Sequence, residues 1–159
     1  MIKTITIGDK EVQLNNNIGW TLEYRAQFNQ DIIPTLMPMA AAVVDLITGV
    51  AESTSDFNNV GINDIVHLSK NGSVLDAMVK LSSFEFVDFI NITWALAKCA
   101  DETIPEPKRW LRDFEEFPVD VIGPVVFELI MRSVVSEKNW TRLQHNLQSL
   151  KPEKIKKNQ

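Results

Sequence analysis

The chain has few of the residues that metal sites and nucleophilic catalysis require. Its one cysteine, Cys99, cannot form an intramolecular disulfide, which favours a reducing compartment. Its two histidines, His67 and His145, are far apart, and neither has a cysteine or carboxylate at metal-ligand spacing. The six glycines are scattered without the spacing of a phosphate-binding loop. The sequence therefore predicts no metal, no cofactor and no nucleotide-binding loop.

Long apolar runs are also missing. The longest, around residues 39–44 and 125–130, fall far short of the roughly 20 residues that a membrane-spanning helix needs. The first seven residues alternate in polarity and are too short for the core of a signal peptide. We therefore expect a cytoplasmic protein with no membrane partner.

Charge is plentiful but unevenly distributed. The formal net charge is −5, and residues 151–159 contain four lysines and one glutamate, so they carry +3 and the preceding residues carry −8. Because phosphate binding requires a basic face, an acidic body argues against nucleic acid as the main partner. We predict that 151–159 is a disordered, solubilising tail, with contact to nucleic acid or an acidic protein as the alternative.

The N-terminal residues predict a β-hairpin followed by a helix. Apolar and polar residues alternate on either side of Gly8-Asp9-Lys10, which predicts a hairpin over about residues 2–14 with one apolar face. Asn15-Asn16-Asn17 is typical of a turn and helix N-cap, and the helical period begins at Ile18. Asn29 is the expected end of this helix because asparagine tolerates the left-handed conformation.

Apolar periodicity predicts further helices along the rest of the chain. They cover residues 34–52, 62–81 (as one helix or two), 82–102, 108–114 and a long stretch after Pro118, with 137–150 either extending the last helix or fraying. Ser82 and Glu85 form a capping-box pattern, and the helix they open is apolar on most sides, which places it mid-bundle. Pro124 is expected either to kink the last helix or to mark its start.

The predicted fold class is mainly α: a helical bundle of about five or six helices with a small N-terminal β-hairpin. No βαβ alternation, internal repeat or long linker divides the chain, so residues 1–150 are predicted to form a single α-helical domain. Since two strands alone are marginal in water, the apolar face of the hairpin has to pack on a helix.

A cluster of acidic residues, Asp113, Glu115 and Glu116, is the feature most like an enzyme site. Paired acids can serve glycoside hydrolysis or bind a cation, but a glycosidase needs a deep cleft that shifts the pKa of one acid. Here the acids lie beside three basic residues at 108–112 in a short exposed helix, so surface ion pairing explains them more simply. We predict no enzymatic activity, with a small hydrolase as the rival hypothesis.

Aromatic residues give a stronger functional signal. One stripe recurs every four residues from Trp20 to Phe28, and a second pair follows at positions 110 and 114. Core packing is one interpretation, and the other is a groove or oligomer interface, where aromatic residues and arginine are enriched. Arg25 suits either an interface or a salt bridge to Asp31. The predicted partner-binding residues are Trp20, Tyr24, Arg25, Phe28, Trp110 and Phe114.

Part of the first helix resembles a signature of bacteriophage tail assembly chaperones. Residues 24–32 read Tyr-Arg-Ala-Gln-Phe-Asn-Gln-Asp-Ile, which resembles the family pattern Tyr-Arg-x-x-Phe-Gly-x-Asp-Ile. In that family the segment follows an N-terminal hairpin and opens the helical part, as it would here. Asn29 replaces the family's glycine, and both residue types can adopt positive φ.

A second match lies in the C-terminal half. Residues 94–101, Trp-Ala-Leu-Ala-Lys-Cys-Ala-Asp, are similar to the family's Ala-Lys-x-Ala-Asp segment. The proline-bearing connection at 104–107, the aromatic pair at 110 and 114 and the proline-containing helix from Ile122 continue the likeness. Residues 53–81 have no counterpart, so the resemblance covers about two thirds of the chain.

The resemblance implies a non-enzymatic chaperone that binds the tape measure protein and keeps it soluble while tail tube subunits polymerise around it. It also implies a longer, frameshifted form that recruits the tail tube protein, action in the cytoplasm of the bacterial host, and absence from the mature virion.

A helical client with apolar stripes would bind an exposed apolar groove. Self-association into a homo-oligomer, through the hairpin edge or the aromatic stripe, would arrange repeated copies along it. The alternative is a structural tail or neck protein of a phage or prophage that remains in the virion.

Overall fold

The computed structural model describes residues 1–42 and 85–149 of the chain. Its contacts divide the chain into two compact units, Met1–Met37 with Phe84–Ser136 and Pro38–Ser83 with Glu137–Gln159. The predicted helix at 62–81 and the predicted tail at 151–159 lie outside the described residues. A single domain over residues 1–150 stays a prediction.

The described elements are mainly helical. Two strands and five helices follow one another as β1 (Ile2–Ile7), β2 (Lys10–Asn15), α1 (Trp20–Phe28), α2 (Phe86–Ala100), α3 (Pro107–Leu111), α4 (Val119–Val134) and α5 (Glu137–Ser149). Residues 33–42 are helical as well, within the predicted helix at 34–52, whose remainder lies outside the described residues. The prediction of a mainly α chain with an N-terminal hairpin is confirmed.

The hairpin buries one face. Its strands pair antiparallel in one continuous register, and a two-residue loop, Gly8-Asp9, joins them, with Gly8 at φ 61°. A positive φ at the first loop position is what a tight hairpin turn uses glycine for. The buried side chains are those of Ile5, Ile7, Val12 and Leu14. Burying each of these side chains stabilises the fold by on the order of 1.5–3 kcal/mol. Two strands without a helix to pack on cannot bury them in this way.

Helix α2 supplies the surface against which the first unit is built. Its central residues 92–97 are all buried, and the helix packs on both β2 and α1. Thr93, a buried polar residue in this stretch, donates a hydrogen bond from its hydroxyl to the Phe89 carbonyl at 2.8 Å. The expectation that the most apolar helix lies centrally is thus confirmed for residues 92–97.

The boundary predicted for α2 is wrong. The helix begins at Phe86, and Glu85 holds the N-cap position with extended backbone. The predicted capping box would place Glu85 inside the first turn, so the position of Glu85 differs from the prediction, and Ser82 lies outside the described residues. Apolar spacing alone did not reveal where the first turn begins.

The C-terminal helices also differ from the prediction. The helix expected at 108–114 is the single turn α3, and residues 137–149 form a separate helix because Val135 is extended after α4. Helix α4 begins after Pro118 as expected. Pro124 lies inside it, where the missing N–H removes one hydrogen bond of the helix.

The asparagines after β2 connect the hairpin to two helices. Asn15 Nδ2 donates to the Cys99 carbonyl of α2 at 3.5 Å, and Asn16 Nδ2 donates to the Leu129 carbonyl of α4 at 3.4 Å. Asn17 Oδ1 accepts the Gly19 N–H at 3.0 Å, which confirms the predicted turn. The N-cap position itself belongs to Gly19 rather than to an asparagine.

A charged group joins β1 to α4. Lys3 Nζ lies 2.5 Å from Glu128 Oε2, and Arg132 Nε lies 3.0 Å from Glu128 Oε1. The hydrogen bond from Lys3 lowers the pKa of Glu128, burial opposes the shift, and Arg132 adds to it. Since the side chains are about 30% exposed, solvent limits what the ion pairs contribute to roughly 1 kcal/mol.

Helix α1 ends at Asn29 as the sequence predicts. Asn29 has φ 53° and ψ 30°, and its N–H donates to the Arg25 carbonyl at 2.9 Å. This left-handed residue redirects the chain towards the helical residues 33–42.

We expect Asn29→Gly to keep or slightly raise the free energy of unfolding and Asn29→Ala to lower it by about 1 kcal/mol, because only the alanine is strained at positive φ. Urea denaturation measures both, with Gln30→Ala at the exposed next position as the control. Equal losses for alanine and glycine would contradict the left-handed assignment.

The pKa of Glu128 is lower in the folded state than its ordinary value of 4.5, so its ion pairs stabilise the fold above that value and the effect is lost as the pH falls. We expect the free energy of unfolding of the wild type to exceed that of Glu128→Gln by up to about 1 kcal/mol at pH 7. The difference should vanish as the pH falls below 4.5. Urea unfolding between pH 7 and 3 tests this, with Glu115→Gln as control; a pH-independent difference argues against it.

Candidate functional site

The first predicted aromatic stripe lies in the core. Trp20 and Tyr24 are 0% and 1% exposed, and the Trp20 indole N–H donates to Ser133 Oγ at 3.2 Å. Half-buried Phe28 contacts Tyr24 and Trp94, with ring centroids 4.7 and 5.7 Å apart. Core packing accounts for this arrangement, and partner contact through Trp20 or Tyr24, which would require the fold to open, stays a prediction.

Burial also sets the chemistry of two side chains on this side of the unit. Burial, reinforced by the charge of Asp88, raises the pKa of Tyr24. Burial, reinforced by Glu23, raises the pKa of the Cys99 thiol. Since the thiolate is the nucleophilic form of cysteine, a raised pKa leaves less of the reactive form of Cys99 at neutral pH.

Arg25 is exposed on α1. Its predicted alternative partner, Asp31, instead accepts the Ile33 N–H at 3.0 Å, and Arg25 forms no ion pair within the described ranges. The guanidinium is therefore accessible to a partner. Leu22, one turn away on the same face, is 68% exposed, and Ile18 in the preceding turn is 55% exposed.

The second aromatic pair lines a groove beside β2. Trp110 is 5% exposed, Phe114 is half-buried, and their rings meet edge to face with centroids 4.9 Å apart. Lys10 Nζ lies 5.8 Å from the centre of the Phe114 ring. The cavity has a volume of about 420 Å³; β2 residues 10–13 and Thr4 line it on the strand side, and residues 101, 104, 110, 113 and 114 line it opposite. We call this cavity the β2 groove.

The connection after α2 holds the far wall of the groove in place. Lys98 Nζ donates to the carbonyls of Glu102 and Ile104 at 2.6 and 2.8 Å, and the Trp94 indole N–H donates to the Pro105 carbonyl at 2.8 Å. Pro107 then opens α3, which presents Trp110. A charged side chain and a core tryptophan thus fix a segment that has little regular structure of its own.

The groove is negatively charged. Asp101 Oδ1 accepts the Thr103 hydroxyl and N–H at 2.7 and 2.8 Å, and these hydrogen bonds lower the pKa of Asp101, so it remains a carboxylate. A second cavity of about 730 Å³ shares Lys10 and Asp113 with the β2 groove and adds Asp9 and the glutamates at 115 and 116.

The acidic cluster of the sequence therefore faces the hairpin loop. Among the described residues, its members form no ion pair with the basic residues at 108–112, so the predicted surface pairing is wrong. In the same described ranges, no group of three or more His, Cys, Asp and Glu side chains is arranged to hold a metal ion.

The structure separates the predicted partner-binding residues into two places. Trp20, Tyr24, Arg25 and Phe28 belong to α1, whereas Trp110 and Phe114 belong to the β2 groove. Sequence reasoning missed the strand residues and Asp101 in the groove because nothing local links residue 10 to residue 101. Helical spacing could have predicted that Leu22 is exposed, because it lies about half a helical turn from the buried stripe.

Comparison with protein-family models, curated proteins and solved structures finds no match to this chain. In the part of the chain that is described, no helix has both the length and the apolar character needed to cross a bilayer.

We expect Trp20→Ala to lower the free energy of unfolding by about 3–5 kcal/mol, because it empties a buried site and removes the hydrogen bond to Ser133. Arg25→Ala should change it by less than about 0.5 kcal/mol. Chemical denaturation measures both, and Trp20→Phe, which keeps most of the volume, should lie between them. A loss below 1 kcal/mol for Trp20→Ala would reject its core role.

Proposed function

We propose that this chain is a phage tail assembly chaperone, a non-enzymatic protein that binds the tape measure protein and keeps it soluble during tail tube assembly. The proposal rests on the resemblance of residues 24–32 to the chaperone signature and on what those positions do in the fold. Binding of this kind needs no metal or cofactor.

The left-handed residue at the end of α1 is the observation that carries the proposal. The family pattern has glycine where this chain has Asn29, and Asn29 has φ 53°. Glycine adopts this conformation freely and asparagine tolerates it, so the left-handed backbone of Asn29 is compatible with a glycine at this position of the pattern. Asp31, also in the pattern, accepts the Ile33 N–H where the next helix begins, as a capping side chain does.

The exposed face of α1 is the surface we propose for the client. Leu22, Arg25 and Ala26 are exposed and lie three and four residues apart, so they share one face of the helix. A client helix with an apolar stripe would cover Leu22 and keep both surfaces from water. If several copies bind along one client, the complex is held tightly even though each contact is modest.

The proposal extends to further partners and to location. A longer, frameshifted form would recruit the tail tube protein, the copies would form a homo-oligomer, and the site of action would be the cytoplasm of the bacterial host cell. The alternative, a structural tail or neck protein of a phage or prophage, differs in remaining in the particle.

Co-expression with the tape measure protein of the same phage or prophage tests the proposed function. We expect the tape measure protein to move into the soluble fraction and to co-purify with this chain, while mass spectrometry of purified virions does not detect the chain. A tape measure protein that stays insoluble contradicts the chaperone, and a stoichiometric signal in virions favours the structural alternative.

We expect Leu22→Glu to lower the affinity for the tape measure protein at least about tenfold, or about 1.4 kcal/mol, because it places a charge where apolar surface should be buried. Val121→Glu is the matched control, since Val121 is 62% exposed on α4. Titration of soluble complexes measures the effect, and equal affinities for the two variants would remove α1 as the contact surface.

A further inference from the structure

The outer edge of β2 has backbone groups that β1 does not pair. The Asn16 N–H donates to the Met1 carbonyl at 3.2 Å. This bond shows which opposed residues of the antiparallel ladder are joined by backbone hydrogen bonds and which are not. With the observed register, the N–H and C=O groups of Glu11 and Gln13 point away from β1. No hydrogen bond from elsewhere in residues 1–42 or 85–149 reaches these four groups.

The β2 groove runs along this edge. Glu11 and Gln13 are exposed and line it, and the opposite wall presents half-buried Ile104 and Phe114, with Trp110 nearly buried behind them. The four β2 residues that line the groove span roughly 13 Å at about 3.3 Å per residue. An added strand would lie about 4.8 Å from β2, between the unpaired edge and the aromatic wall.

The charge of the lining selects the occupant. One cation, Lys10, faces three carboxylates, those of Glu11, Asp101 and Asp113, and the adjoining cavity adds three further acids at 9, 115 and 116. A basic segment gains from this surface, whereas a phosphate backbone is repelled by it.

We propose that the β2 groove binds an extended segment of a partner protein that carries both apolar and basic side chains, and that this segment pairs with the edge of β2 as a third strand. Main-chain hydrogen bonds to Glu11 and Gln13 supply affinity. An apolar side chain packed on Phe114 and Ile104 and a basic one near Asp101 or Asp113 supply specificity. This inference does not depend on the chaperone proposal, because the occupant is defined by its chemistry alone.

The first test changes the strand edge. Gln13→Pro removes an N–H that points into the groove and leaves the β1–β2 ladder intact, a position where an edge strand tolerates proline. Thr6→Pro is the matched control, since its N–H points outward from β1 and Thr6 does not line the groove. The probe is a fluorescein-labelled nine-residue peptide of alternating lysine and leucine, followed by fluorescence anisotropy.

We expect Gln13→Pro and Asp113→Asn each to weaken peptide binding about tenfold and Thr6→Pro to leave it unchanged. Circular dichroism of each variant verifies the fold. No binding of the peptide to the wild-type protein, equal effects of the two proline variants, or equal binding of an aspartate–leucine peptide would each overturn the proposal.

The second test leaves the protein unchanged. In a paired strand, alternate N–H groups face the neighbouring strand, so N-methylation of one alternate set of peptide residues should abolish binding while methylation of the other set preserves it. Equal tolerance of both sets would show that the peptide does not pair with β2, whatever its affinity.

Discussion

Two strands are too few to fold alone in water, and this constraint organises the first unit. The hairpin has to bury Ile5, Ile7, Val12 and Leu14, and α2, whose centre is apolar, packs on β2 while α4 contacts β1. The side chains of Lys3, Asn15 and Asn16 then join the hairpin to α2 and α4. Because the hairpin is held by one face, no backbone group of residues 1–42 or 85–149 pairs with the edge of β2 beside the groove.

The demands of the core decide which aromatic residues are accessible. The side chains of Trp20, Tyr24 and Trp110 are nearly fully buried, because burying the largest apolar side chains stabilises the fold most. The surfaces proposed for partners are built from smaller or charged neighbours, Leu22 and Arg25 on α1 and the carboxylates around the β2 groove. A stripe of aromatic residues in a sequence thus locates a helix face more reliably than it locates an interface.

Local chemistry explains which features could be predicted from the sequence. The hairpin, the left-handed Asn29 and the helix start after Pro118 depend on a few adjacent residues, so their patterns were sufficient. The start of α2 at Phe86 and the break between α4 and α5 at extended Val135 differ from what apolar spacing predicted, because spacing alone does not fix where a helix begins or ends. The β2 groove joins residues 10–13 to residues 101–114, and no periodicity connects segments that distant in the chain.

The burial of all four tryptophans gives the molecule an intrinsic optical probe. Trp20, Trp94 and Trp110 belong to the first unit and Trp140 to the second, and each is at most 5% exposed. Unfolding of either unit should therefore shift the emission to longer wavelengths. The β2 groove is lined by Trp110, and a cavity beside Ala26 on α1 is lined by Trp94. Tryptophan emission can therefore report on a ligand at either surface without any added dye.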